Sequence, residues 1–113
     1  MTDIDTVTAY YAAFNRGDWD GMCAFLTEDV TYRASPRQTV IGRHAVIGMI
    51  GDIRSTFDEC RTSLINVALS VDVVLAEQAL RLRLAGCEPQ WVMSFSSFRM
   101  DGLRICAWHQ LNF

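Results

Sequence analysis

The stretch from Tyr10 to Tyr32, YYAAFNRGDWDGMCAFLTEDVTY, constrains the fold more than any other part of the chain. Ile4, Val7, Tyr11 and Phe14 recur at three- and four-residue spacing, the period of one buried helix face. Asn15-Arg16-Gly17 ends that helix, because Gly17 can adopt the left-handed conformation of a C-terminal cap. Asp18 then caps a second, short helix whose apolar face is Trp19, Met22, Cys23, Phe25 and Leu26. Glu28-Asp29 marks its exit. Val30 and Tyr32 alternate with Thr31 and Arg33, the period of a half-buried strand. Two helices joined this tightly fold against each other, and the remaining chain has to supply the surface they cover.

The other elements follow from the same rules. Thr2 and Asp5 form a capping box for the first helix. The polar run Arg33–Thr39 is broken by Pro36 and reads as a loop. Gly42 opens a third helix reaching about Phe57, with Val46, Ile50, Ile53 and Phe57 on its buried face. Gly48 and Gly51 cost that helix roughly 1 kcal/mol each against alanine. They imply either close passage of another backbone or a ligand lodged where side chains are missing.

From Cys60 onward the pattern is that of strands. Arg61–Leu69 and Val73–Ala85 are joined near Ser70-Val71-Asp72, with a break at Ala76-Glu77-Gln78 as the alternative. Leu80, Leu82 and Leu84 alternate with Arg81 and Arg83, giving one buried and one wet face. Gly86-Cys87-Glu88-Pro89 turns the chain into a strand over Gln90–Met100. Asp101-Gly102 is a hairpin signal before the last strand. Ser96-Ser97 suggests a bulge that bends the sheet. Helices first and an antiparallel meander after them make an α+β domain, one unit over residues 1–113. A curved sheet wrapped around helices forms a cone with an open mouth.

Composition narrows the functions. The net charge is −3 and the isoelectric point is near 5.2, whereas nucleic-acid binding calls for a basic footprint. No apolar run is long enough to span a bilayer, and the polar start MTDIDT is no secretory signal, so a cytoplasmic protein is expected. Cys23, Cys60, Cys87 and Cys106 are scattered without a C-x-x-C pair and read as free thiols. Two histidines and dispersed cysteines offer no metal-ligand spacing, and no cofactor is expected.

The run Y-x-A-F-N-R-G-D-W-D, a short apolar helix and then E-D-V-x-Y resembles the opening of the nuclear transport factor 2-like superfamily. Gly42-Arg43 opening a helix, and Asp101-Gly102 before a terminal strand with a tryptophan, extend the resemblance over nearly the whole chain. That superfamily includes ketosteroid isomerases, SnoaL-like polyketide cyclases and limonene epoxide hydrolases. The resemblance implies three helices on the concave face of a cone-shaped, mostly antiparallel sheet, a pocket between them, and a homodimer formed through the sheet's outer face. Ile65, Val67, Leu69 and Ile105 are candidates for that face. A fold of this kind hosts many chemistries, so the activity has to be read from its site.

Tyr10, Phe14, Trp19, Tyr32, Phe57, Trp91, Met93, Phe95 and Trp108 are the inward-facing aromatic and apolar candidates. They either fill a solid core or bind an apolar, ring-containing ligand. The resemblance places Tyr10 at the isomerase's catalytic tyrosine, but puts Ala34 where its aspartate base would stand. No carboxylate lies between Glu88 and Asp101, where the second acid would fall. The terminal strand LRICAWHQLNF carries no acid either, so Gln110 occupies the place the cyclase and hydrolase carboxylate would take. Trp108, Gln110 and Asn112 share one face of it. His109, on the other, is either a surface or interface residue or the base, since histidine ordinarily titrates near 6.5. The expectation is thus a small-molecule pocket protein. If it is an isomerase, cyclase or dehydratase, Tyr10 or Tyr32 polarises a carbonyl and His109 or a water moves the proton. The alternative is a non-catalytic binding or dimeric interaction module.

Overall fold

The computed structural model describes residues 1–112. Helix α1 spans Asp3–Arg16 and α2 spans Trp19–Ala24; they are followed by strands β1 (Leu26–Ser35) and β2 (Gln38–Ile41). Helix α3 covers Arg43–Ser55, and the meander follows as β3 (Glu59–Ser70), β4 (Val73–Arg83), β5 (Gln90–Asp101) and β6 (Arg104–Asn112). The three helices pack on one six-stranded sheet of order β2-β1-β6-β5-β4-β3, an α+β cone. Every neighbouring pair is antiparallel except β1 and β6, which run parallel and close the order across the chain.

The local signals account for the helical half. Thr2 and Asp5 bond reciprocally as the capping box, and Asp18 caps α2 through the backbone N–H of Gly21 at 2.9 Å. Gly17 sits at φ 70°, and its left-handed turn lets α2 fold back against α1. Gly42, at φ 97°, bonds its N–H to the Val30 carbonyl at 2.8 Å and sets the start of α3 against β1.

Four expectations are corrected. The run Arg33–Thr39 is not a loop: Ser35 pairs with Gln38 across a tight Pro36-Arg37 turn, and the chain forms the β1–β2 hairpin. Proline is tolerated there because it lies in the turn, outside the ladder. Ser96-Ser97 is no bulge, since Ser96 pairs regularly with both Ala76 and Gln110; the irregularities fall at Leu26/Thr31, Arg33/Ser35, Leu64/Asn66 and Arg99/Met100. Gly48 and Gly51 mark no close backbone passage: an added Cβ at Gly48 meets nothing within 4 Å, and at Gly51 only the Trp19 ring at 3.9 Å. Ile105 is fully buried and cannot contribute to an outer face.

The core lies between α1 and the inner face of the sheet. Tyr10, Phe98, Met22, Leu26, Ile105, Val30 and Val74 are fully enclosed. Phe98 and Trp108 stack at 5.8 Å, and the Tyr10 ring meets Trp108 edge-on at 5.4 Å and Phe98 at 6.1 Å. Such pairs add about 1 kcal/mol each beyond the area they bury.

Candidate functional site

Where α1, α3 and the open end of the sheet diverge, the core gives way to a cavity of about 200 Å³. Tyr11 and Phe14 enter it from α1, Ile50 and Ile53 from α3, and Phe57 from the segment after α3. The sheet contributes Tyr32, Cys60, Thr62, Leu80, Leu82, Val92, Trp108, Gln110 and Asn112. No lining residue is an aspartate, glutamate, lysine, arginine or histidine.

The polar end is a chain of neutral hydrogen bonds. The buried Gln78 amide donates to the Tyr11 hydroxyl at 2.8 Å, and Ser96 Oγ donates to Gln78 Oε1 at 3.0 Å. Tyr11 and Ser96 hydroxyls lie 3.2 Å apart, and Tyr11 donates to Gln110 Oε1 at 3.3 Å. Gln110 Nε2 then donates to Asn112 Oδ1 at 3.1 Å, which also accepts from Ser94 Oγ at 2.8 Å. Burial pushes the Tyr11 phenol well above its ordinary value of 10.0, and its bonds to Ser96 and Gln78 offset only part of that. Burial likewise raises Tyr32 and the Cys60 thiol. Across the neutral range Tyr11 is therefore a protonated hydroxyl, able to donate to a ligand. Among the described residues, one more polar atom of the lining, Thr62 Oγ1, is enclosed without a hydrogen-bond partner.

The residues singled out from the sequence are divided by this geometry. Phe14, Tyr32, Phe57, Trp108 and Gln110 line the cavity. Tyr10 does not: its ring is wholly inside the core and its hydroxyl has no partner among the described residues, while Tyr11, one position on, reaches the cavity. Trp19 packs edge-on against Phe14 at 6.5 Å, behind the lining. Trp91, Met93 and Phe95 stand on the opposite face of β5, 61%, 40% and 47% exposed, and Arg81 lies over the Trp91 ring. Their inward placement is thus corrected. The inward positions of β5 are Val92, Ser94, Ser96, Phe98 and Met100, so alternation counted back from the core residue Phe98 carries the signal. His109 is exposed on the outer face, opposite Ser97, away from the cavity. The hydrogen-bonding residues the sequence reading did not bring to the site are Tyr11, Thr62, Gln78, Ser94, Ser96 and Asn112. For Tyr11 a signal existed, since it shares a helix face with Val7 and Phe14.

Among the described residues no three histidine, cysteine, aspartate or glutamate side chains converge to hold a metal, and no helix is long and apolar enough to cross a membrane.

Comparison with known proteins agrees with the architecture. A comparison with curated protein sequences found no match. Among solved structures, a hypothetical protein of ketosteroid isomerase-like fold from Catenulispora acidiphila, in complex with trimethylamine, superposes with a TM-score of 0.84 at 20% identity, covering 93% of this chain and 82% of its own. An LEH-like epoxide hydrolase from M. tuberculosis gives 0.85 at 19% identity, with 98% and 82% covered. TerC, co-crystallised with polyporic acid, gives 0.86 at 14% identity, with 96% and 88% covered. At these identities the likeness is one of fold. The model of the SnoaL-like domain matches residues 7–108, and the chain belongs to that family.

Proposed function

We propose that this protein binds a neutral, apolar, ring-containing small molecule, with the ring among Phe14, Tyr32, Phe57 and Trp108 and a carbonyl or hydroxyl on the Tyr11–Gln110–Asn112 chain. One observation carries the reading: a cavity of about 200 Å³ whose lining is apolar apart from uncharged hydrogen-bonding groups. An apolar cavity of about 150 Å³ already accommodates benzene, so this one suits a single ring with a few further atoms. A carboxylate would meet no cation there, and burying an unpaired charge is far costlier than burying a neutral polar group. That structural relatives were crystallised with trimethylamine and with polyporic acid fits a fold that accepts small molecules.

An isomerase, cyclase or dehydratase is the competing reading. Tyr11 supplies what such a reaction needs to polarise a carbonyl, but no lining side chain is a base that titrates near neutral pH, and His109 faces away. Binding without proton transfer is therefore the better-supported function. The test is calorimetric titration at pH 7 with p-cresol, cyclohex-2-enone and benzoate. Binding of the first two but not of benzoate is expected; preferential binding of benzoate sinks the proposal.

A homodimer is a second, independent proposal. Leu75, Trp91, Met93, Phe95 and Leu111 leave apolar surface exposed on the outer face of β4, β5 and β6. Isolated apolar side chains on a surface are ordinary, but a contiguous patch favours self-association. Sedimentation at micromolar concentration is expected to give a dimer that Phe95→Glu dissociates; a wild-type monomer defeats it.

A further inference from the structure

We propose that Tyr32 is a partition between two chambers, and that its ring is what limits the ligand to a single ring. The inference rests on the small-molecule reading above and goes beyond it by naming the residue that sets ligand size. Tyr32 lines the inner cavity of about 200 Å³ and also an outer chamber of about 330 Å³. The outer chamber lies between the β1–β2 hairpin and α3, bounded by Ala34, Arg37, Val40 and Met49 among others. Among the described residues, Tyr32 is the one common to both linings.

Its ring is held by the sheet. β1 lies between β2 and β6, where Tyr32 pairs with Val40 on one side and Trp108 on the other. The ring meets Trp108 edge-on at 4.6 Å, and only 8% of the residue is exposed. Among the described residues the hydroxyl has no hydrogen-bond partner. The barrier is therefore the bulk of the ring, and the hydroxyl is dispensable to it. Ala34, two residues along β1, has a side chain too short to fill the space beyond, which leaves the outer chamber open. Separately, the inner cavity holds about one ring. Joined, the two chambers fall within the roughly 300–1,000 Å³ of sites that take drug-sized ligands.

The experiment compares p-cresol with the longer 4-phenylphenol, by calorimetry, in the wild type, Tyr32→Phe, Tyr32→Leu and Tyr32→Ala. The wild type and Tyr32→Phe are expected to favour p-cresol by at least about tenfold, the order of discrimination that one misfitting group produces in a closed pocket. Tyr32→Leu and Tyr32→Ala are expected to bind 4-phenylphenol at least as tightly as p-cresol; Tyr32→Leu keeps apolar bulk against Trp108 if the alanine variant fails to fold. Equal binding of both probes by the wild type overturns the proposal, because the second ring would then be accommodated without displacing Tyr32. Continued exclusion of 4-phenylphenol by both shortened variants overturns it as well. Failure of p-cresol to bind the wild type defeats the small-molecule reading, and xenon-pressurised crystals then test the partition without any ligand. Two separated xenon sites in the wild type and continuous density across position 32 in Tyr32→Leu support it; separation that persists in Tyr32→Leu overturns it.

Discussion

Replacing Asn15 by alanine tests how the helical half is fixed to the sheet. Asn15 Oδ1 accepts from the Thr62 backbone N–H at 2.8 Å, and its Nδ2 donates to the Thr62 carbonyl, also at 2.8 Å. One amide side chain thus acts as a strand neighbour for β3, which is an edge of the sheet, at the point where α1 crosses it. Arg54 Nη2 adds a bond to the Asn15 carbonyl at 3.0 Å, tying α3 to the same corner. Each bond is worth about 1 kcal/mol net where water can replace it, and about 1–3 kcal/mol where the vacated backbone group stays enclosed and unpaired. Thr62 is 4% exposed, so water reaches the vacated groups poorly and the loss for Asn15→Ala comes to about 3 kcal/mol. At about 4 °C per kcal/mol, the melting temperature falls by roughly 12 °C. Calorimetric melting together with urea titration measures it. A loss below about 0.5 kcal/mol would show that the two bonds are exchanged for water at no cost, and would refute the reasoning.

Other outcomes follow from single features. Gly48→Ala is expected to raise stability by about 1 kcal/mol, since the position is helical and its added methyl meets nothing; chemical denaturation checks it. Val71, at φ 58° and 91% exposed in the β3–β4 turn, pays for a left-handed backbone, and Val71→Gly is expected to gain about 1 kcal/mol by the same assay. Tyr10, Tyr11 and Tyr32 are all raised above 10.0 by burial, so stability should be full below pH 10 and fall above it, because the unfolded chain releases these protons first; a melting temperature flat to pH 12 contradicts this.

Much of the fold was legible because its signals are local. The Thr2–Asp5 box, the Gly17 cap, the Asp18 cap and the Asp101-Gly102 turn each act within four residues, and the structure holds them where the sequence puts them. What was missed depends on partners distant in the chain. β2 is four residues long and owes its existence to pairing with β1, which no period within Gln38–Ile41 reveals. The site was legible only in part, for a related reason. Aromatic and apolar character drew Trp91, Met93 and Phe95 into the expected pocket, whereas the strand's phase, anchored by Phe98, turns them outward and brings in the serines. Gln78, buried in β4, acquires meaning only once Tyr11, Ser96 and Gln110 surround it.

The most direct measurement is a crystal structure of the protein with cyclohex-2-enone bound. The account predicts the ring between Phe14 and Trp108, with the ketone oxygen accepting a hydrogen bond of about 2.8 Å from the Tyr11 hydroxyl. Tyr11→Phe is then expected to weaken binding by about tenfold, the order of one lost hydrogen bond. Density for the enone on the outer face of the sheet beside His109, with the inner cavity empty, would contradict it.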